Sequence, residues 1–253
     1  MKDTQAYIER IRRVSRDYQR LELAVDKSLS SMLAGQAVLA RRIEKDYEIQ
    51  HWNPYLRELW FPVEILNSNI IVVEVPASIS YQPGQLLSLL GPIGKPFRFR
   101  RKLRNVLLIV YDTPPTSLLM MLPPLLSNDA SVTMVLMGTA CQYDTGHLPE
   151  EIEILHAEDD LSWQDMVMTL GWADQVFVLV GPSSELNNFA DVMHLVRERR
   201  NDVPANYIFG VFQRQLPCAV GACYVCMLRS NDGSKLQCVD GPAFDLTSLH
   251  LEN

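Results

Sequence analysis

Two textures of apolar and polar positions divide this 253-residue chain near position 100. Before it, short apolar runs alternate with polar residues and stop at turn formers: YQRLELAVD, GQAVLARRI, IIVVEVP and YQPGQLLSLLGP. A period of two puts successive side chains on opposite faces, so this half predicts an antiparallel sheet or small β-barrel. The N-terminus is ambiguous, because Ile8, Ile11, Val14, Tyr18 and Leu21 also fit one face of a helix.

After Lys102 the runs become continuously apolar: NVLLIVY, SVTMVLMG, EIEILHA and QVFVLVG. Between or after them stand helical stretches, SWQDMVMTLGWA and SSELNNFADVMHLVRER, and TSLLMMLPPLL, where Pro123 and Pro124 are expected to stop a helix. Such alternation predicts a mostly parallel sheet with crossover helices. A last strand, NYIFGVF, leads into a cysteine-rich segment. The expected architecture is an α+β two-domain chain: a small antiparallel β-barrel (1–101), a Rossmann-like, nucleotide-binding-like α/β domain (102–210) and a C-terminal cysteine loop (211–253).

With 47 % hydrophobic residues the chain can bury a sizeable core. No apolar stretch approaches the roughly 20 residues that cross a bilayer. A formal net charge of -7 argues against a nucleic-acid surface. The basic run Arg10, Arg12, Arg13, Arg16, Arg20, Arg41 and Arg42 reads as a solvated face, or as a contact for an acidic partner or a cofactor phosphate. The methionines, Met168 among them, read as core filling. No secretory leader is evident, which points to a reducing, cytoplasmic compartment.

Chemistry enters at Cys218, Cys223, Cys226 and Cys238, spaced C-x4-C-x2-C-x11-C. A binuclear [2Fe-2S] cluster needs two thiolates on each iron and a backbone able to curl around its sulfides, and C-x4-C-x2-C is the plant-type spacing for it. Ala219, Gly221 and Ala222 keep the loop slim enough to wrap and to aim amide N–H groups at sulfur. A structural zinc is the alternative, since zinc also accepts four cysteines. Cys141 has no nearby partner in the sequence and reads as a buried small hydrophobe. The five histidines are scattered without ligand spacing.

The order of barrel, PGQLLSLLGPIGKPF turn, nucleotide-domain sheet and terminal cysteine motif followed by VDGPAF resembles the electron-transfer subunit of dihydroorotate dehydrogenase, among the ferredoxin-reductase-like flavoproteins. The resemblance implies FAD on the barrel and a [2Fe-2S] cluster on Cys218, Cys223, Cys226 and Cys238. It also implies electron transfer between NADH and a partner flavoenzyme.

Two stretches depart from that pattern. The family's Arg-Pro-x-Ser flavin strand corresponds to YLRELWFPVEI, where Arg57 and Pro62 stand too far apart and no hydroxyl residue follows Pro62. Tyr55, Arg57 and Trp60 are the flavin candidates there, set against an ordinary strand with one buried aromatic. In place of a glycine-rich phosphate turn stands NVLLIVYDTPPTSLL, with Asp112 where an anion would sit and Thr113 as the expected helix cap. The expectation is an iron–sulfur electron-transfer subunit in a hetero-oligomer with a partner oxidoreductase and without a nicotinamide site. A complete FAD-dependent NAD(P)H oxidoreductase and a zinc-stapled assembly subunit are the other readings.

Overall fold

A computed structural model describes residues 2–43, 56–67, 69–158 and 161–251. Its first half is an all-antiparallel sheet of β1 (Lys2–Arg13), β2 (Tyr18–Ala24), β3 (Ala37–Arg42), β4 (Glu58–Trp60), β5 (Pro62–Asn67), β6 (Ile70–Pro76) and β7 (Leu86–Ile93). The helical alternative for the N-terminus gives way to β1, whose inward side chains include Ala6 and Ile8. The strand order is β4-β3-β7-β1-β2-β6-β5. Its two edge strands, β4 and β5, are separated in the chain by Phe61 alone. The sheet therefore has to curl until its edges meet, which makes the half-barrel. Ile8, Leu21, Leu23, Ile71, Val73, Leu87 and Leu89 fill the inside.

The second half holds a sheet ordered β10-β9-β8-β11-β12-β15. Its first five strands in the chain are β8 (Asn105–Tyr111), β9 (Ser131–Met137), β10 (Ile152–His156), β11 (Gln175–Val180) and β12 (Ile208–Val211). All pair in parallel, as continuously apolar strands buried on both faces do. Alternate residues of β8 serve opposite layers: Leu107 and Ile109 one core, Val106, Leu108 and Val110 the other. Burying each such side chain is worth about 1.5–3 kcal/mol.

The helices are short except one: α1 (Thr116–Leu119), α2 (Leu122–Leu126), α3 (Met166–Trp172) and α4 (Glu185–Arg199). Pro123 and Pro124 do not end a helix. They lie in the first turn of α2, where a missing N–H costs nothing. Thr113 does not cap α1, which follows Pro115. Met168, expected in the core, is 72 % exposed on α3.

The C-terminal segment forms a hairpin of β13 (Met227–Ser230) and β14 (Gly233–Leu236), then α5 (Gln237–Asp240) and β15 (Ala243–Asp245). β15 runs antiparallel along β12, so the end of the cysteine segment becomes the edge of the parallel sheet.

Candidate metal centre

The loop from Cys218 to Cys226 is shaped by three left-handed residues, Ala219 (φ 56°), Gly221 (φ 74°) and Tyr224 (φ 57°). Successive turns of this kind point peptide N–H groups to one concave side, a setting for negative charge. Burial raises the Cys218 thiol's pKa. Hydrogen bonds from the Val220, Cys223 and Ala222 amides and the Cys223 thiol outweigh it and hold the group at about 6. Cys238 lies deeper, and burial together with the neighbouring Cys226 sulfur pushes it up to about 12, against one N–H from Gly221.

The four sulfurs are arranged as two pairs. Cys226 Sγ and Cys238 Sγ are 3.4 Å apart and both residues are buried. Cys223, exposed, donates to half-buried Cys218. Among the described residues, no group of three or more Cys, His, Asp or Glu side chains gathers around a single ion position. Two pairs lined by N–H donors fit a binuclear cluster, which needs two thiolates on each iron and donors to its sulfur. Cys141 stands apart, half-buried, with its thiol donating to the Leu136 carbonyl at 3.1 Å.

The cysteine segment is docked on the half-barrel. Leu216, Ala219, Cys226 and Cys238 pack with Leu39 and Ile93, against Leu59, Leu90 and Leu236. The Lys95 amide donates to the Gly241 carbonyl at 2.5 Å, and Lys95 Nζ pairs with Asp240 at 3.0 Å. The GPIGK turn of the barrel and the VDGP turn after the last cysteine are thus each other's partners.

Of the flavin candidates, Tyr55 lies outside the described residues. Arg57 pairs with Asp3 at 3.1 Å, on a carboxylate that also accepts from Ser88. Trp60 is buried edge-on to Tyr81 and donates its indole N–H to Glu58 at 3.0 Å. The structure brings these two side chains to the β4 region but pairs their polar groups with the carboxylates of Asp3 and Glu58.

In the α/β sheet the strand order reverses between β8 and β11, the position where such folds open a crevice for a dinucleotide. Asp112 stands there with φ 54°, its carboxylate accepting the Thr139 amide at 2.9 Å. A Cβ on Gly181 would come within 2.8 Å of the Asp112 carbonyl oxygen, so the turns after β8 and β11 already touch. Gln213 closes the floor by donating to Thr113 Oγ1 (2.9 Å) and the Val180 carbonyl (2.8 Å). Its amide donates to Glu185 Oε1 at 2.7 Å. Burial raises the Glu185 pKa to about 7, against the Gln213 amide and Arg214, whose Nε lies 3.0 Å from Oε2.

One buried cluster had no signal in the sequence. Glu74 on β6, its side chain fully buried, accepts from Arg20 (2.9 Å) on β2 and from the Tyr143 hydroxyl (2.5 Å), with His147 Nε2 at 3.5 Å. Burial raises the Glu74 pKa, and hydrogen bonds from His147, Tyr143 and Arg20 bring it below the usual glutamate value. The four residues span 127 positions of sequence spacing and unite the two halves, which no local pattern announces.

Residues 213–250 match the family described as the iron–sulfur cluster binding domain of dihydroorotate dehydrogenase B. Comparison with curated proteins finds no match. Among solved structures, NADH-dependent reduced ferredoxin–NADP oxidoreductase, from work on flavin-based electron bifurcation, is similar over 97 % of this chain and 90 % of that one. The TM-score is 0.72 and the identity 18 %. The ferredoxin reductase of carbazole 1,9a-dioxygenase is similar over 85 % of this chain and 70 % of its own, with TM-score 0.55 and 15 % identity. Phthalate dioxygenase reductase is similar over 81 % and 66 %, with TM-score 0.54 and 12 % identity. The chain thus has the two-domain fold of the ferredoxin reductases and carries, at residues 213–250, a segment similar to the iron–sulfur cluster binding domain of dihydroorotate dehydrogenase B.

Proposed function

We propose that this chain is an electron-transfer subunit that holds a [2Fe-2S] cluster and passes electrons between a donor and a partner oxidoreductase. The observation that carries the reading is the pairing of four cysteine sulfurs, Cys218 with Cys223 and Cys226 with Cys238, inside a loop whose amides face them. When bound, a [2Fe-2S] cluster supplies reversible one-electron chemistry. Cys226 and Cys238 would hold the buried iron and Cys218 and Cys223 the outer one. The Val220, Ala222, Cys223 and Gly221 amides would stabilise the negative charge of the sulfurs. Leu39, Leu59, Leu90 and Ile93 exclude water from the inner side.

The nucleotide crevice supports a carrier without its own nicotinamide site. The Asp112 carboxylate at the switch point would repel a phosphate, and Gln213 fills the floor with bonds to Thr113 and Val180. Arg57 and Trp60 would have to leave Asp3 and Glu58 to serve a flavin. Electrons would then enter and leave through protein partners, a reading that the similarity of residues 213–250 to the iron–sulfur cluster binding domain of dihydroorotate dehydrogenase B supports.

The test is a visible and EPR spectrum of anaerobically purified chain before and after dithionite, with iron, zinc, sulfide and flavin quantified on the same sample. Two irons and two sulfides per chain with a reducible signal and no flavin are expected. Stoichiometric FAD bleached by NADH would replace the carrier with a complete reductase. Zinc without sulfide would make the segment a structural staple.

A further inference from the structure

We infer that Glu185 takes up a proton when the cluster accepts an electron, so that the chain moves the two together and its cluster potential follows pH. The inference goes beyond the electron-carrier reading and rests on it. Glu185 opens α4 with its side chain fully buried, and carrying electrons on four cysteines does not by itself call for an acid there.

Geometry joins this acid to the cysteine site through one peptide unit, Phe212–Gln213. Its N–H donates to Glu185 Oε1 at 2.7 Å, and its C=O accepts from Gln237 Nε2 at 3.0 Å. Gln237 is buried and directly precedes Cys238, and its own amide donates to the Cys226 carbonyl at 3.1 Å. Glu185 is thereby held at a fixed separation from the two buried cysteines by hydrogen bonds between protein groups alone. Phe212 packs between Phe189 and Phe244, ring centroids 4.6 and 5.6 Å away, which keeps the surroundings of that peptide apolar. Electrostatic coupling is stronger in such an interior than in water.

The step balances in charge. The oxidised cluster, one electron from a one-electron donor, one proton from solvent and the Glu185 carboxylate give the reduced cluster and the Glu185 carboxylic acid. Without the proton, reduction would add a negative charge beside one already buried, which the interior disfavours. The charged group against Glu185 is Arg214, whose Nε lies 3.0 Å from Oε2 and whose side chain is 33 % exposed, giving the proton its way in from solvent. From the turn after β8 the Asp112 carboxylate turns to the Thr139 amide, and with Asp191 of α4 it acts on Tyr111. Thr113 and Ser117 face Gln213 and not the acid. Burial has already brought the Glu185 carboxyl to about 7, so one more negative charge shifts its proton occupancy at neutral pH.

The experiment is a potentiometric titration of the cluster in the full chain from about pH 5.5 to about pH 9, followed by visible absorption and EPR. Iron and sulfide are quantified first. With rising pH the potential should fall by up to about 59 mV per pH unit, one proton per electron, over a window that opens near pH 7, and should level off on either side. Glu185→Gln, which keeps an acceptor for the Gln213 amide, should remove most of that slope while the cluster spectrum stays unchanged. Infrared spectra of the reduced minus the oxidised chain should show a carboxylic acid C=O band that this variant lacks. Where Glu185→Gln fails to hold the cluster, Glu185→Asp takes its place and should move the window, since the shorter acid stands away from the Gln213 amide. A wild-type potential independent of pH overturns the inference, as does a slope that Glu185→Gln leaves unchanged or a window that Glu185→Asp leaves unmoved. Those results leave the carrier reading standing, whereas a chain without a reducible cluster overturns that reading and the inference with it.

Discussion

A Cβ on Gly94 would stand 2.8 Å from the carbonyl oxygen of Gly241, 147 residues further along the chain. This contact fastens the half-barrel to the cysteine segment, and the Lys95 amide bonded to the same carbonyl locks it. Both glycines belong to the GPIGK and VDGP turns on which the family resemblance partly rested. The two glycines serve different contacts: Gly94 removes a side chain so that the Gly241 carbonyl can approach, whereas a Cβ on Gly241 would meet Phe244 and the Gln237 carbonyl of its own segment.

Gly94→Ala should therefore destabilise the fold by about 1–3 kcal/mol and loosen the cysteine segment. Gly84→Ala is the control, because Gly84 has nearly the same φ (81° against 78°) but nothing within 4 Å of its Cβ position. Urea unfolding of the two variants separates backbone strain, common to both, from the clash with Gly241. Equal losses would show that the turns do not bear on each other.

Replacing Cys226 or Cys238 with serine should abolish the visible cluster spectrum and destabilise the segment, since both residues are buried in the contact with Leu39 and Ile93. Cys223→Ser removes an exposed sulfur and should cost the spectrum with a smaller loss of stability. Cys141→Ser should leave the spectrum unchanged. A chain that keeps full absorbance without Cys223 would remove that residue from the ligand set.

The Glu74 carboxyl titrates below its ordinary value in the folded state, so it contributes stability above the unfolded pKa that is lost as pH falls through the folded one. Melting temperature should drop on acidification below about pH 4.5, with the two halves losing their contact at Arg20, Tyr143 and His147. Glu74→Gln should cost about 1–3 kcal/mol at neutral pH, because it takes the counter-charge from half-buried Arg20. The difference from wild type should shrink in acid, and a pH-independent difference would refute the assignment.

Glu185 runs in the opposite direction. Its folded pKa of about 7 lies above the unfolded value, so between about pH 4.5 and 7 the folded chain keeps a proton that the unfolded chain releases. Stability should fall by about 1–3 kcal/mol across that window and then level off. Glu185→Gln, which keeps an acceptor for the Gln213 amide, should flatten this slope in melting curves recorded from pH 4.5 to 8. An unchanged slope would assign it to another group.

Much of this protein is local in origin, and that part was legible in the chain. Period-two alternation marked β2, β3, β6 and β7, and continuously apolar runs marked β8 to β11, because burial on one face or on two dictates side-chain pattern directly. The cysteine spacing and small residues between Cys218 and Cys223 announced a metal-binding loop, since ligand number and loop width are properties of consecutive residues. The carboxylate of Asp112 in the turn after β8 was equally visible.

Tertiary structure decided the rest. Whether Pro123 and Pro124 end a helix or begin one depended on the break between α1 and α2, at which both arrangements satisfy the missing N–H groups. Arg57 and Trp60 looked available to a cofactor until folding brought Asp3 to one and Tyr81 to the other. The curl that joins β4 to β5 across Phe61, the return of β15 to β12, and the meeting of Glu74 with Tyr143 and His147 all pair residues far apart in sequence. Such contacts form only where shape and hydrogen-bonding capacity fit across two elements at once, and no single segment carries that information.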